Sequence, residues 1–104
     1  MKQGEVWLVA LEQVQGSEIG KARPCVIVSP EQMNRHLQTV VVAPMTSVLR
    51  DWPYRVDVRS GGRDGQITPD QIRCVSKTRL RRRLGALAAD ELARTLRILR
   101  DMFA

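Results

Sequence analysis

Residues 16–24 are Gly16-Ser17-Glu18-Ile19-Gly20-Lys21-Ala22-Arg23-Pro24. This polar segment separates two apolar runs, Val6–Leu11 and Cys25–Val28. It predicts a loop between two β-strands, because glycine permits backbone angles that other residues avoid. Pro24 fixes its own φ and disfavours the α region for Arg23. Arg23 is therefore predicted to be extended at the mouth of a strand, either solvated or as a ligand for an anion.

The chain on either side of this loop predicts further strands. Apolar residues of both parities in Glu5–Leu11 indicate a strand covered on both sides. Other apolar or alternating runs predict strands at Thr39–Ala43, Tyr54–Val58, Gln66–Val75 (one strand or two, bent at Pro69) and Leu80–Leu84. The four residues from Pro44 to Ser47 are predicted to end the third strand.

Two segments predict helices. Ser29 and Pro30 have the pattern of a helix start, with Ser29 as the N-cap and the helix ending near His36. In Ala89–Phe103 the apolar residues recur on one helical face, at Leu92, Leu96, Leu99 and Phe103. The sequence thus predicts one domain over residues 1–104: a mainly β, curled, antiparallel barrel with a short helix and a C-terminal helix.

The composition indicates a globular chain. It has 104 residues, 43% of them hydrophobic, which is enough for one modest core. No apolar run reaches the ~20 residues of a membrane span, and the N-terminus lacks the apolar region of a signal peptide. We therefore expect a cytoplasmic protein. Cys25 and Cys74 each lie in an apolar run, so both are predicted to be reduced core residues.

The charge balance points to an acidic partner. Lys and Arg number 17 against 11 acidic residues, which gives a net charge of +6 and a pI near 10.4. Fourteen of the 17 are Arg, and Arg suits nucleic acid because its planar fork binds phosphate and stacks on bases. A GC-rich genome would produce the same bias.

Several kinds of catalytic chemistry lack their motifs. The sequence has no His, Cys, Asp or Glu cluster at metal-ligand spacing, no Gly-x-x-x-x-Gly-Lys loop and no Gly-x-Ser-x-Gly elbow. The single histidine, His36, is predicted to lie on the surface. Arg, Thr, Ser and Gln at strand ends are left, and they can hold a phosphodiester for reaction or simply bind it.

Four motifs in order resemble the MazF/PemK toxins. They are Gly4-Glu5-Val6-Trp7, Gly16–Pro24, Ala43-Pro44-Met45-Thr46-Ser47 and Asp70-Gln71-Ile72-Arg73. The resemblance implies a small SH3-like barrel of the CcdB/PemK type that forms a homodimer. It also implies the toxin of a type II toxin–antitoxin system, a metal-independent and sequence-selective endoribonuclease acting on single-stranded RNA. Its partner would be a MazE-like antitoxin whose acidic tail covers the RNA site.

The resemblance also implies roles for individual residues. Arg23 and Thr46 match the family's catalytic Arg and Thr, and no metal or cofactor is expected. Ser17 and Gln71 match family positions that lie at the RNA site. Together with Lys21 and with Trp52, an aromatic residue that can stack on bases, they are the residues predicted to bind RNA. Ile19 and Met45 depart from the family pattern without removing a catalytic group. Asp70 or Arg73 is predicted to make an internal polar contact that organises the loops.

The chemistry expected of such an enzyme uses the RNA's own 2′-OH, which attacks the adjacent phosphate to give a 2′,3′-cyclic phosphate and a 5′-OH. Arg23 suits charge stabilisation through bidentate bonds to phosphate oxygens. Thr46 is either a phosphate donor or a hydroxyl that caps a strand end. Trp52 and Tyr54 are both candidates to stack on bases. The alternatives are that Trp52 covers the end of the barrel and that Tyr54 is a core residue. Trp7 is predicted to be core.

Two questions stay open from the sequence. The arginines at 79, 81, 82 and 83 either follow the RNA backbone or form a solvated face. The protein as a whole is either the nuclease, a CcdB-like gyrase-binding toxin, or a catalytically silent RNA-binding relative. The pairing of Arg23 with Thr46 favours the nuclease.

Overall fold

The fold is organised around one long central strand. The computed structural model describes residues 1–11, 22–60 and 62–104. Within them the strands are β1 (Glu5–Ala10), β2 (Ala22–Ile27), β3 (Thr39–Thr46), β4 (Val56–Ser60), β5 (Arg63–Ile67), β6 (Arg73–Ser76) and β7 (Leu80–Ala86). The helices are α1 (Glu31–His36) and α2 (Ala89–Met102), and 3₁₀ turns lie at Pro69–Gln71 and Lys77–Arg79.

Strand β3 pairs with three neighbours. The described strands follow the order β4-β5-β3-β2-β1-β7, and β6 also pairs with β3. All these pairs are antiparallel. The N-terminal half of β3 pairs with β6, whereas its last two residues pair with β5. The predicted mainly β, curled antiparallel architecture with a short helix and a C-terminal helix is confirmed.

The sheet buries side chains on both faces. Val26 of β2 and Ala43 of β3 lie in one apolar cluster, together with Ile67 of β5. Their neighbours along the chain, such as Ile27 and Val42, lie in a second cluster. Successive strand residues point to opposite faces. The two clusters therefore explain the apolar residues of both parities in the sequence.

Helix α2 covers the first cluster. Ile98 and Leu99 pack against it, and Arg94 donates to the Asp57 carbonyl of β4 at 3.4 Å. The face predicted for the helix extends too far, because Phe103 follows the helix end and is 74% exposed. Neither described helix is long and apolar enough to cross a membrane.

Gly4 permits a close approach to α2. Its φ is +91°, and a Cβ there would lie 2.9 Å from Leu92 Cδ2. Both facts disfavour any residue with a side chain at this position.

Two predicted strand limits are wrong because tertiary pairing extends the strands. Strand β2 begins at Ala22, so Arg23 lies within it, opposite Val9 of β1. Strand β3 continues through Pro44 to Thr46. Pro44 is tolerated because it lies between the two partners on one edge of β3: the pairing with β6 ends at Val42 and the pairing with β5 begins at Met45.

Further predictions are corrected at single residues. Ser29 does not cap α1, whose N-cap is Pro30; its hydroxyl instead donates to Asn34 Oδ1 at 2.6 Å. Cys74 is exposed, because β6 alternates and Val75 takes the inward position. Strand β4 begins at Val56 rather than Tyr54, whose φ of +65° is incompatible with a strand.

Candidate functional site

Arg23 and Thr46 lie on neighbouring strands. Arg23 is the second residue of β2 and is exposed, whereas Thr46 is the last residue of β3 and is partly buried. Cys25 stands opposite Pro44 in this antiparallel pair. Continuing that register by two residues places Arg23 at the level of Thr46. Opposite residues of an antiparallel pair share a face, so the two side chains are directed to the same surface.

The hydroxyl of Thr46 is fixed by the following turn. Its Oγ1 accepts a hydrogen bond from the Val48 amide at 3.0 Å. This is the capping contact that the sequence left open. It uses an acceptor position of the oxygen and leaves the O–H free to donate to a ligand. The cap therefore orients the hydroxyl without preventing a role in binding.

Two clefts meet at this pair of residues. Both are lined by Arg23, Met45, Thr46 and Val48. The first cleft has a volume of about 390 Å³ and is also bordered by Arg63, Asp64 and Gly65. The second cleft has a volume of about 220 Å³ and is also bordered by Arg50, Trp52, Arg55 and Gln71.

Four of the six site residues predicted from the sequence meet in the second cleft. They are Arg23, Thr46, Trp52 and Gln71. Gln71 is exposed at the end of the 3₁₀ turn that precedes β6. The other two, Ser17 and Lys21, belong to residues 12–21 and lie outside the described residues. Their roles stay predictions.

Trp52 forms an exposed wall of the second cleft. Its side chain is 55% exposed, and its ring centroid lies 4.7 Å from the Arg55 guanidinium carbon and 5.7 Å from that of Arg50. These are cation–π distances. Tyr54 is 47% exposed, so the alternative that it fills the core is wrong. Trp52 contributes its side chain to the lining of the second cleft.

Arg55 is held from the other side by Asp70. The Arg55 side chain is 7% exposed, and its Nε lies 3.4 Å from Asp70 Oδ1. Asp70 thus makes the internal polar contact that the sequence predicted for it or for Arg73. The contact links the Asp-Gln-Ile-Arg segment to the loop that carries Trp52.

The clefts are predominantly cationic. Sequence reasoning identified only Arg23 among the arginines that line them; the others are Arg50, Arg55 and Arg63. Asp64 is the acidic residue among the described lining of the first cleft. The sequence did contain an indication of these residues, because several arginines follow Thr46 in a chain of net charge +6. A surface of this kind attracts a polyanion.

Gln66 of β5 is a second residue that the sequence did not single out. It is 5% exposed, and its side-chain amide bonds to both backbone groups of Arg50. The contact joins residues 16 positions apart, and for that reason no local pattern predicted it.

The basic run near the C-terminal end has other partners. Arg79 donates to the Ala10 carbonyl at 3.2 Å, and Arg83 forms an ion pair of 3.0 Å with Glu5. Neither of these, nor the exposed Arg81 and Arg82, lines the first or second cleft. These residues form an exposed, partly ion-paired face outside the first and second clefts, and their contact with RNA stays a prediction.

Cys25 lies beneath the site and is chemically quiet. Burial raises the pKa of its thiol to about 12, against the opposing charges of Arg73 and Arg23. Its Sγ lies 3.6 Å from the Arg23 carbonyl. A protonated thiol is a poor nucleophile, so Cys25 does not serve as one near neutral pH. In the described part of the chain, no group of three or more His, Cys, Asp or Glu residues is arranged to hold a metal ion.

The fold and site define a class: a small antiparallel β-protein with an arginine-lined cleft at the meeting point of three strands. Residues 2–103 match the protein family described as the PemK-like, MazF-like toxin of type II toxin–antitoxin systems. The chain belongs to this family, as the resemblance in its sequence predicted.

Individual relatives agree with this assignment. Endoribonuclease MazF from Staphylococcus saprophyticus is 35% identical over 94 residues, which cover 85% of this chain and 78% of the relative. Endoribonuclease MazF9 from Mycobacterium tuberculosis is 32% identical over 103 residues, which cover 89% of this chain and 87% of the relative.

Solved structures share the fold. A mycobacterial endoribonuclease in complex with its cognate antitoxin superposes with a TM-score of 0.83 at 25% identity, covering 99% of this chain and 94% of that one. MazF from Deinococcus radiodurans superposes with a TM-score of 0.82 at 24% identity, and the superposition covers 99% of this chain and 96% of that one. The curled, antiparallel, mainly β fold of this chain is therefore shared with solved MazF-type structures.

Proposed function

We propose that this protein is a toxin endoribonuclease that cleaves single-stranded RNA without a metal ion. The observation that carries the proposal is the convergence of Arg23 and Thr46 at one level of neighbouring strands, where both line both clefts. The relatives named above as endoribonucleases support the activity.

RNA brings its own nucleophile to such a site. The 2′-OH loses its proton as it attacks the adjacent phosphorus, the bond to the 5′ oxygen of the next nucleotide breaks, and the leaving 5′ oxygen takes up a proton. The products are a 2′,3′-cyclic phosphate and a 5′-OH. The protein must align the sugar with the phosphate and stabilise the charge that grows on the phosphate oxygens.

Arg23 and Thr46 divide these tasks. The guanidinium of Arg23 donates two parallel bonds to the non-bridging phosphate oxygens and supplies positive charge where the phosphorane forms. The Thr46 hydroxyl, held by the Val48 amide, donates to the same phosphate. Arg keeps its proton at any ordinary pH, so its role is charge stabilisation rather than proton removal.

The second cleft accommodates the nucleotides beside the reacting phosphate. Trp52 offers a face on which a base can stack, and stacking contributes ~1–3 kcal/mol per base in proteins that bind single strands. Gln71, on the opposite lining segment, contributes an amide that can bond to a base edge or a sugar. Ser17 and Lys21, which lie outside the described residues, are the other proposed RNA contacts.

The same cationic clefts are the proposed site of regulation. An acidic segment of an antitoxin would compete with RNA for the arginines, and the mycobacterial structure named above contains a cognate antitoxin. We expect a homodimer, since a small barrel gains buried apolar area by association. Light scattering at micromolar concentration tests this assembly, and a monomer would contradict it.

The experiment that tests the activity is incubation of the purified protein with a long single-stranded RNA in EDTA. Cleavage at defined positions supports the proposal. Binding without cleavage would indicate a silent RNA-binding relative, and neither binding nor cleavage would favour a gyrase-binding toxin. Loss of cleavage in EDTA with recovery in Mg²⁺ would refute the metal-independent mechanism.

A further inference from the structure

The side chain of Gln66 makes a complete set of contacts below the loop that carries Trp52. Its Oε1 accepts from the Arg50 amide at 3.0 Å, and its Nε2 donates to the Arg50 carbonyl at 2.9 Å. The same Nε2 donates to Asp57 Oδ1 at 2.8 Å. One primary amide thus pairs with both backbone groups of a single residue, as a neighbouring strand would.

Asp57 fixes the direction of this amide. An ionised carboxylate only accepts hydrogen bonds, so it selects the NH₂ end of Gln66. The carbonyl end must then face the Arg50 amide. Because Asp57 and Gln66 stand opposite each other on β4 and β5, the hairpin presents a preformed receptor for Arg50.

Among the described residues, few other polar contacts hold the loop. Residues 47–55 join β3 to β4 and cross the rim of the second cleft, and Leu49, Trp52 and Tyr54 in it are each about half exposed. Segments with few buried contacts open easily. The Thr46–Val48 bond fixes the start of the loop, and the Arg55–Asp70 pair fixes its end. Gln66 holds the middle of the loop at Arg50, which lies two residues before Trp52.

We propose that Gln66 is a positioning residue for RNA binding: its amide fixes the Arg50 backbone and so sets the Trp52 ring against the second cleft before RNA arrives. The inference rests on the proposed function. Preorganisation of a stacking wall increases affinity because the loop is ordered before binding. Gln66 lines neither the first nor the second cleft and stands opposite Thr46 in the pairing of β3 with β5. It acts on the loop through Arg50.

The test uses Gln66→Leu in a Trp7→Phe background. The chain has two tryptophans, so Trp52 is the one tryptophan left in that background. We expect stronger acrylamide quenching of Trp52. We also expect about 10-fold weaker binding of a 2′-O-methyl oligonucleotide, the size expected from losing part of one stacking contact. The single-turnover cleavage rate at saturating RNA should change less than about 2-fold, since the fixed groups of the reacting site are intact.

A matched control removes another buried amide far from the clefts. Asn34 is 3% exposed and bonds to Ser29 and the Met1 carbonyl. Asn34→Ala should lower the melting temperature while leaving Trp52 quenching and RNA affinity unchanged. If Asn34→Ala weakens binding as much as Gln66→Leu does, the effect is general destabilisation and the proposal is overturned.

A paired exchange keeps the proposal testable if Gln66→Leu fails to fold. Gln66→Glu sets two carboxylates against each other and should release the loop. Adding Asp57→Asn restores a donor–acceptor pair and should recover part of both the affinity and the protection of Trp52. No recovery would count against the proposal.

Failure of this inference is distinct from failure of the proposed function. Absence of RNA cleavage by the unmodified protein refutes the function. Normal cleavage by that protein, with unchanged affinity in Gln66→Leu, refutes only the role of Gln66.

Discussion

Replacing Arg23 with Ala should separate catalysis from folding. The side chain is exposed at the cleft, so its removal should alter the free energy of unfolding by no more than about 0.5 kcal/mol. That change corresponds to a melting-temperature shift of at most about 4 °C in a domain of this size. The catalytic loss should be far larger, about 10²–10³ in kcat, because one donor to the transition-state charge is removed.

Thr46 supplies the second half of this prediction. Thr46→Ala should also slow cleavage, and the double variant should lose less than the product of the two single losses, because both groups hold one phosphate. Arg23→Lys should recover activity only in part, since Lys keeps the charge but lacks the planar fork.

The assay is single-turnover cleavage in EDTA, with RNA binding and thermal melting measured on the same samples. Arg97→Ala is the matched control, because Arg97 is exposed on α2 and lines neither cleft. Wild-type cleavage by Arg23→Ala would refute the assignment. A melting temperature far below that of wild type would show that Arg23 is structural.

Three further predictions concern groups outside the reacting pair. At pH 8 a thiol reagent should modify the exposed Cys74 quickly and Cys25 slowly, because burial raises the pKa of Cys25 to about 12; two equally fast thiols in a mass-resolved time course would contradict the burial. Although burial alone would raise it, the pKa of Glu5 is lowered by bonds from Lys2 and Trp7 and by nearby positive charge. A group whose folded pKa is lowered stabilises the folded state above its unfolded pKa, and this stabilisation is lost as pH falls through the folded pKa. Glu5→Gln should therefore cost about 1 kcal/mol of unfolding free energy at pH 7, and the cost measured in urea melts should shrink steadily as the pH falls below the unfolded pKa. Gly4→Ala should lower stability by about 1–2 kcal/mol, since φ is +91° and the added Cβ would lie 2.9 Å from Leu92; an unchanged melting temperature would refute this.

The sequence predicted elements that depend on local pattern. The limits of α2 and of β1 follow periodicity and are within a residue of those observed. The predicted break at Pro69 is also present, as a 3₁₀ turn between β5 and β6. In each case the determining residues are adjacent in the chain, so a single sequence contains the information.

The misplaced limits have tertiary causes. Arg23 joins β2 because β1 pairs with it, and Pro44 stays in β3 because the partner on one edge of β3 changes there, from β6 to β5. Such pairings override the local preference of proline.

The candidate site was predictable only in part for the same reason. The family pattern pointed to Arg23, Thr46 and Gln71, and Trp52 was predicted as an aromatic residue that can stack on bases; all four meet in the second cleft. It did not identify Gln66, whose importance arises from its bonds to Arg50 across the sheet. A buried glutamine in a strand carries no such meaning until its partners are known.

The chemical identity of the new RNA ends tests the central claim most directly. An oligonucleotide cleaved in EDTA and examined by mass spectrometry should show a 2′,3′-cyclic phosphate on one fragment and a 5′-OH on the other. The same oligonucleotide with a single 2′-deoxy sugar at the cut position should stay intact, because the nucleophile is missing. A 5′-phosphate with a 3′-OH, or cleavage of the 2′-deoxy substrate, would show that water attacks the phosphate and would contradict the mechanism.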